Sequence, residues 1–348
     1  MFARRHFQLL FAALFLWSIA SAQPNNVSDA LGRRIDSVLV ALEQKGFAGS
    51  ILIKFKKRIL LKKGYGFGDC ALKRKSAPSM IYEIASITKA VTAAAILKLV
   101  SEGRLSMETS AATYVPALVG DKREITIQHL LLHASGLPES FGPDEVYVPR
   151  DTLIEKANRT QLKFKPGADR AYSDPGYSLL AYIIEEVTSM QYEQFLQQGL
   201  FAPAGITNIG SVLPKWTKAQ LACGRKDGKA YGSTRDYFGA NEPSWYLVGS
   251  GALLTNVQGL EAFFNALLEY KLLPAELTDM MVENLTRQSR AGRLLRISGS
   301  NIIFTSVYAN WLDRGVTLVL LTSNSDYPKE KVEPLITQII NDYFQRQN

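Results

Sequence analysis

Apolar and polar positions alternate along this chain in three distinguishable rhythms. Over residues 27–45 the apolar set Leu31, Ile35, Val38, Leu39 and Leu42 has helical spacing. Two β-rich runs follow, residues 48–55 and 58–65, joined around Lys56-Lys57, and this pattern predicts a hairpin. Residues 89–102 are apolar at nearly every position and end at Gly103, which predicts a buried helix. From Ser86 to about residue 285 the pattern is mainly helical with long loops. Beyond it, residues 294–297, 302–311 and 316–322 read as strands, the last two joined by a turn at Asp313-Arg314-Gly315. The tail places Val332, Leu335, Ile336, Ile339, Tyr343 and Phe344 on one face of an amphipathic helix. Strands and helices at both ends around a helical middle predict an α/β (α+β) fold. In it one antiparallel sheet, flanked by helices, is built from both chain ends, and the middle forms an inserted, mainly helical lobe.

The first 22 residues interrupt that picture. Arg4 and Arg5, an apolar run over residues 9–17 and Ala20-Ser21-Ala22 before Gln23 have the form of a secretory signal. The expected mature protein is therefore residues 23–348, a single domain with a sheet lobe over 23–84 and 286–348 and a helical lobe over 85–285. It is expected to be periplasmic or secreted, with no stable membrane span once the signal is cleaved. Of 348 residues with formal charge +8, loss of 22 residues including Arg4 and Arg5 leaves 326 with charge +6. Lys54, Lys56, Lys57, Lys62 and Lys63 read as a solvated hairpin, and no basic run is interleaved with aromatics, so nucleic acid is not an expected partner. Cys70 and Cys223 can form one disulfide in an oxidising compartment, and the sequence leaves their pairing open.

The candidate chemistry sits at the start of the buried helix. Ser86-Ile87-Thr88-Lys89 is the one Ser-x-x-Lys in the chain. Residues at i and i+3 share a helix face, so Lys89 can take the Ser86 proton when a carbonyl is attacked. Burial would lower the pKa of that amine and make it a usable base, and the free amides of a helix N-terminus suit a developing oxyanion. Together these features point to acyl transfer through an acyl-serine.

Four segments carry a likeness to a known group. They are Ile84-Ala85-Ser86-Ile87-Thr88-Lys89, residues 126–138 (Thr-Ile-Gln-His-Leu-Leu-Leu-His-Ala-Ser-Gly-Leu-Pro), Tyr172-Ser173-Asp174-Pro175-Gly176-Tyr177, and Gly249-Ser250-Gly251-Ala252-Leu253-Leu254-Thr255. In this order they resemble the serine β-lactamase-related family, which groups class C β-lactamases, D-alanyl-D-alanine carboxypeptidases and related esterases. The resemblance covers about residues 30–340 and implies a β-lactamase/penicillin-binding-protein-like fold. It also implies catalysis by Ser86, Lys89 and Tyr172, the tyrosine hydrogen-bonding the nucleophile and lysine. Beside an ammonium, the Tyr172 phenol is a second candidate for general base. Substrate and oxyanion contacts would come from Asp174, Ser298, Gly299 and Ser300, with the Ser300 amide pairing that of Ser86. No cofactor or metal is implied.

Two positions depart from the family. Asp174 replaces the usual Asn, and Asp174-Pro175 also has the chemistry of a helix N-cap and first-turn proline. Ile297 stands where relatives carry Lys or His, a position that helps hold a substrate carboxylate. Short acyl esters are therefore expected to be cleaved better than penicillins or D-alanyl-D-alanine peptides. His129 and His133 have the i, i+4 spacing of a metal pair, but the mature chain holds no third His, and the segment reads as packing. The expected activity is that of an exported serine hydrolase acting on small esters or on peptide-like or β-lactam-like amides, cell-wall fragments among them. The alternative is a catalytically weak binding protein of the cell envelope on the same fold.

Overall fold

The computed structural model describes residues 26–27, 30–144, 146–233, 236 and 242–345, and the secretory segment expected over residues 1–22 lies outside them. Among the described residues the main sheet has seven strands: β1 (Asn26–Val27), β2 (Gly49–Phe55), β3 (Arg58–Tyr65), β4 (Thr286–Ser289), β5 (Gly292–Ser300), β6 (Thr305–Trp311) and β7 (Val316–Thr322). Their order is β1-β3-β2-β7-β6-β5-β4, every neighbouring pair antiparallel. The central pairing, Val316 opposite Phe55 through Thr322 opposite Gly49, joins the two ends of the chain.

The period-2 rule explains why these strands read as nearly continuous apolar runs. Ile51, Ile53, Val307, Ala309, Leu318 and Leu320 point to one face, where α1 (Ala30–Glu43) contributes Leu31, Ile35 and Leu39 and the terminal helix Lys329–Gln345 contributes Val332, Ile336 and Ile340. Leu52, Leu295, Tyr308, Val319 and Leu321 point to the other face and join a larger core with the helical lobe. Both faces of the sheet are therefore covered.

Six further helices and the links between them set up the site: α2 (Thr88–Ser101), α3 (Ile127–Leu131), α4 (Asp174–Thr188), α5 (Val257–Leu268), α6 (Ala275–Leu285) and, at the end, α7 (Lys329–Gln345). Helix α2 is buried on nearly every side, as its composition predicts. Among the described residues no helix is long and apolar enough to cross a membrane.

The structure corrects the reading of the lysine-rich hairpin. Lys56 and Lys57 are exposed, but Lys54 ion-pairs with Glu261 of α5 and Lys63 with Asp36 of α1 at 2.8 Å. These lysines tie β2 and β3 to neighbouring helices. Strand β4 lies outside the strands expected from the pattern because Thr286, Arg287, Gln288 and Ser289 form a half-buried to exposed edge with no apolar signal. The open question of the cysteines closes with a Cys70–Cys223 disulfide.

Candidate active site

The chain approaches Ser86 through a turn held on all sides. The Ile84 amide donates to Leu253 O at 3.0 Å, and Ser306 Oγ of β6 donates to Ile84 O at 2.7 Å. Ala85 is left-handed at φ +45°, a conformation of order 1–3 kcal/mol for a residue with a Cβ, maintained only where the surroundings enforce it. A 3-10 turn over Ala85–Ile87 then runs into the 14-residue α2, whose N-terminal dipole favours negative charge at this point.

Lys89, one turn on, is buried. Its Nζ lies 3.3 Å from Ser86 Oγ, 2.7 Å from Ser250 O and 2.6 Å from Asp174 Oδ1. The Gly249-to-Thr255 segment is the bracket for this end of α2: Gly249 O accepts from Thr92 Oγ1 at 2.6 Å, and Leu253 N donates to Thr88 Oγ1 at 3.2 Å. Burial pulls the Lys89 ammonium below its usual pKa, while the carboxylates of Asp174 and Asp144 oppose that shift.

Tyr172 Oη sits 2.6 Å from Ser86 Oγ, and Lys89 Nζ lies 4.8 Å above the Tyr172 ring. Burial of the hydroxyl end and the nearby Asp174 push this phenol up, above its usual value. That direction runs against Tyr172 as the general base beside an ammonium: desolvation disfavours a phenolate, and the carboxylate answers the ammonium.

The cap of α4 is Ser173, whose Oγ accepts from Gly176 N at 3.1 Å. Asp174 is the first helical residue, so its reading as the N-cap is corrected. Its side chain turns to Lys89 instead. His133 organises the same segment and was not singled out for it: its carbonyl accepts from Ala171 N at 2.9 Å, its Nδ1 accepts from Ser173 N at 3.1 Å, and its ring stacks on Tyr172 at 4.8 Å. Burial, with help from Lys89, brings the His133 pKa down to about 4, so the ring is neutral near pH 7. Helix α3 ends at Leu131 and His133 is left-handed at φ +57°, so the two histidines do not form an i, i+4 helical pair. His129 Nδ1 accepts from Thr126 N in a capping box.

Strand β5 closes the site. A methyl on Gly299 would lie 2.3 Å from Ile84 O and 2.7 Å from Ser86 N, so only glycine permits this approach of strand to nucleophile turn. The structure thus brings Ser86, Lys89, Tyr172 and Asp174 together, with Gly299 against them. The side chains of Ser298 and Ser300 are engaged away from that cluster: Ser298 Oγ accepts from Arg296 at 3.3 Å, and Ser300 Oγ from Lys329. Both cations are already neutralised by α7, Arg296 bidentately by Glu333 and Lys329 by Glu330 at 2.8 Å. Ser86, Lys89, Tyr172, Ile297 and Ser298 line a cleft of about 660 Å³.

Comparison with known proteins bears on the family and the fold. The Beta-lactamase family model matches residues 42–333. Protein flp of Staphylococcus aureus (strain COL) is 30% identical over 337 residues, covering 89% of this chain; the chain spans 66% of that relative's length. Among solved structures, FmtA from Staphylococcus aureus superimposes with TM-score 0.74 at 21% identity over 92% of both chains. The D-amino acid amidase from Ochrobactrum anthropi SV3 does so with TM-score 0.75 at 20% identity, over 90% of this chain and 99% of its own.

Proposed function

The chain belongs to the Beta-lactamase family, and on that premise we propose that it is an exported serine hydrolase working through an acyl-Ser86 intermediate. The observation that supports this reading most is the triangle at Ser86 Oγ, with Tyr172 Oη at 2.6 Å and Lys89 Nζ at 3.3 Å, at the wall of an open cleft. Lys89 as the free amine takes the Ser86 proton while Oγ attacks the substrate carbonyl carbon. The oxyanion is held by the Ser86 and Ser300 amides. Tyr172 stays a phenol and relays a proton from Lys89 to the leaving group as the scissile bond breaks. Water then hydrolyses the acyl-serine, releasing the carboxylic acid and restoring the Ser86 hydroxyl.

On the β5 side, Ile297 and the neutralised Arg296 and Lys329 offer a substrate carboxylate little, which favours neutral esters over penicillins and D-alanyl-D-alanine ends; the cation that does line the cleft, Arg170, lies at the exposed rim on the Tyr172 side. The test is turnover of an activated ester by the wild type and three variants. Ser86→Ala should lose it. Lys89→Ala and Tyr172→Phe should each slow acylation by on the order of 10² or more, with a combined effect less than the product of the two. Unchanged turnover in Ser86→Ala would remove this mechanism.

A further inference from the structure

The cleft does not stop at the nucleophile. Lys89, Ala93 and Leu97 line it at four-residue intervals, with Ala90 beside them, so it follows one face of α2 away from Ser86. Eight residues of helix give it a run of about 12 Å. The opposite walls are Leu131 just after the α3 capping turn, Met280 and Met281 of α6, and Ile297 of β5. The polar side chains gather at the nucleophile's end, where His133, Tyr177 and Ser298 stand beside the catalytic groups and Arg170 lies two residues before Tyr172; elsewhere the polar lining residues are the neutral Gln128 and Asn284. Met280 keeps 37% of its surface exposed although it lines this apolar space. Flexible thioether side chains adapt to an unbranched aliphatic guest without a fixed shape requirement.

We propose that this arm is an acyl-chain groove and that the substrates are esters of medium-length, unbranched fatty acids, an inference that rests on the acyl-Ser86 reading above. A group bonded to Ser86 Oγ through its carbonyl carbon has its chain starting where the groove starts. An acetyl group would leave most of about 660 Å³ empty of substrate, whereas an extended chain of roughly decanoyl length fills a 12 Å run. Ile297 belongs to the same argument: where a cation would select an anionic acyl group, the isoleucine continues the apolar wall. In the reaction Ser86 Oγ bonds to the acyl carbon, the ester C–O bond breaks, the alcohol leaves with the relayed proton, and water releases the fatty acid.

The test is a series of p-nitrophenyl esters from acetyl through butyryl, octanoyl and decanoyl to palmitoyl, with the wild-type protein. Each methylene entering the groove should raise kcat/KM about fourfold, so octanoyl should exceed butyryl by on the order of a hundredfold, with a plateau or fall beyond the groove's end. A series that is flat, or highest for acetyl, overturns the proposal while leaving the serine mechanism standing. Ala93→Phe, which places a ring in the groove, should lower the octanoyl-to-butyryl ratio tenfold or more; an unchanged ratio counts against the groove. A second measurement holds even if no ester turns over and the hydrolase reading fails: calorimetric titration of Ser86→Ala with decanoate and with butyrate. Decanoate binding at least tenfold tighter supports the groove, and equal affinities overturn it.

Discussion

Burial first, and Asp174 against it, set how readily Lys89 gives up its proton. The carboxylate at 2.6 Å favours the ammonium, and burial favours the amine. If Lys89 must be neutral to accept the Ser86 proton, activity rises with pH through the Lys89 pKa. Asp174→Asn removes an influence that raises that pKa, Asp144 remaining, so the rising limb of the kcat/KM profile should move to lower pH; a limb that stays in place would separate Asp174 from the proton transfer. His133 makes a different prediction. Its folded pKa, down to about 4 from 6.5, means that the unfolded chain binds a proton that the folded chain refuses, so its contribution is present above pH 6.5 and is lost as pH falls toward 4. His133→Asn keeps an acceptor for Ser173 N and tolerates the left-handed backbone. It should retain on the order of 3 kcal/mol more of its stability than the wild type between pH 7 and pH 4, or less where local relaxation helps, by denaturant midpoints. At this scale Ser86 and Lys89 were legible from their spacing on a buried helix, and Tyr172 from the resemblance of its segment to the family. The Asp174–Lys89 pair was not, since it joins residues 85 positions apart and Asp-Pro has the local chemistry of a cap that Ser173 takes instead.

Strand β5 and the α2 entry turn form one working unit, and Gly299 is where they touch. Gly299→Ala should leave the circular dichroism spectrum native while lowering kcat by about 10² to 10³, the scale for losing one oxyanion donor, because the strand must retreat from Ser86 N. Wild-type turnover in that variant would show that the Ser300 amide is not part of the hole. The paired strands were legible as β-rich apolar runs, and the structure divides each run between two cores, Ile51 and Ile53 to one and Leu52 to the other. Edge strand β4 was silent, since Thr286 to Ser289 bury no apolar face. The Gly249-to-Thr255 bracket was visible as a motif, but its work is done by the carbonyls of Gly249 and Ser250 and by the Leu253 amide, which any residue type supplies.

At the scale of the whole molecule, two cores share one sheet, and the Cys70–Cys223 bond fastens residues 153 positions apart. The loop it closes is long, so the chain-entropy model sets about 5 kcal/mol as its stabilisation, with 2–4 kcal/mol more usual. A Cys70→Ser/Cys223→Ser protein should have a correspondingly lower denaturant midpoint; an unchanged midpoint would mean that the hydrogen bond from Cys223 N to Gly68 O and its neighbours hold this junction without the sulfurs. The sequence showed the two-ended sheet but could not show that these cysteines meet, because their proximity depends on the whole path between them. The proposed nucleophile lies where the helical-lobe core meets strand β5, and intact-protein mass spectrometry after exposure to a fluorophosphonate tests it most directly. The account predicts one adduct per chain, mapped by peptide analysis to Ser86 and absent from Ser86→Ala. A folded wild-type protein that remains unlabelled would contradict it and favour a binding protein built on the same fold.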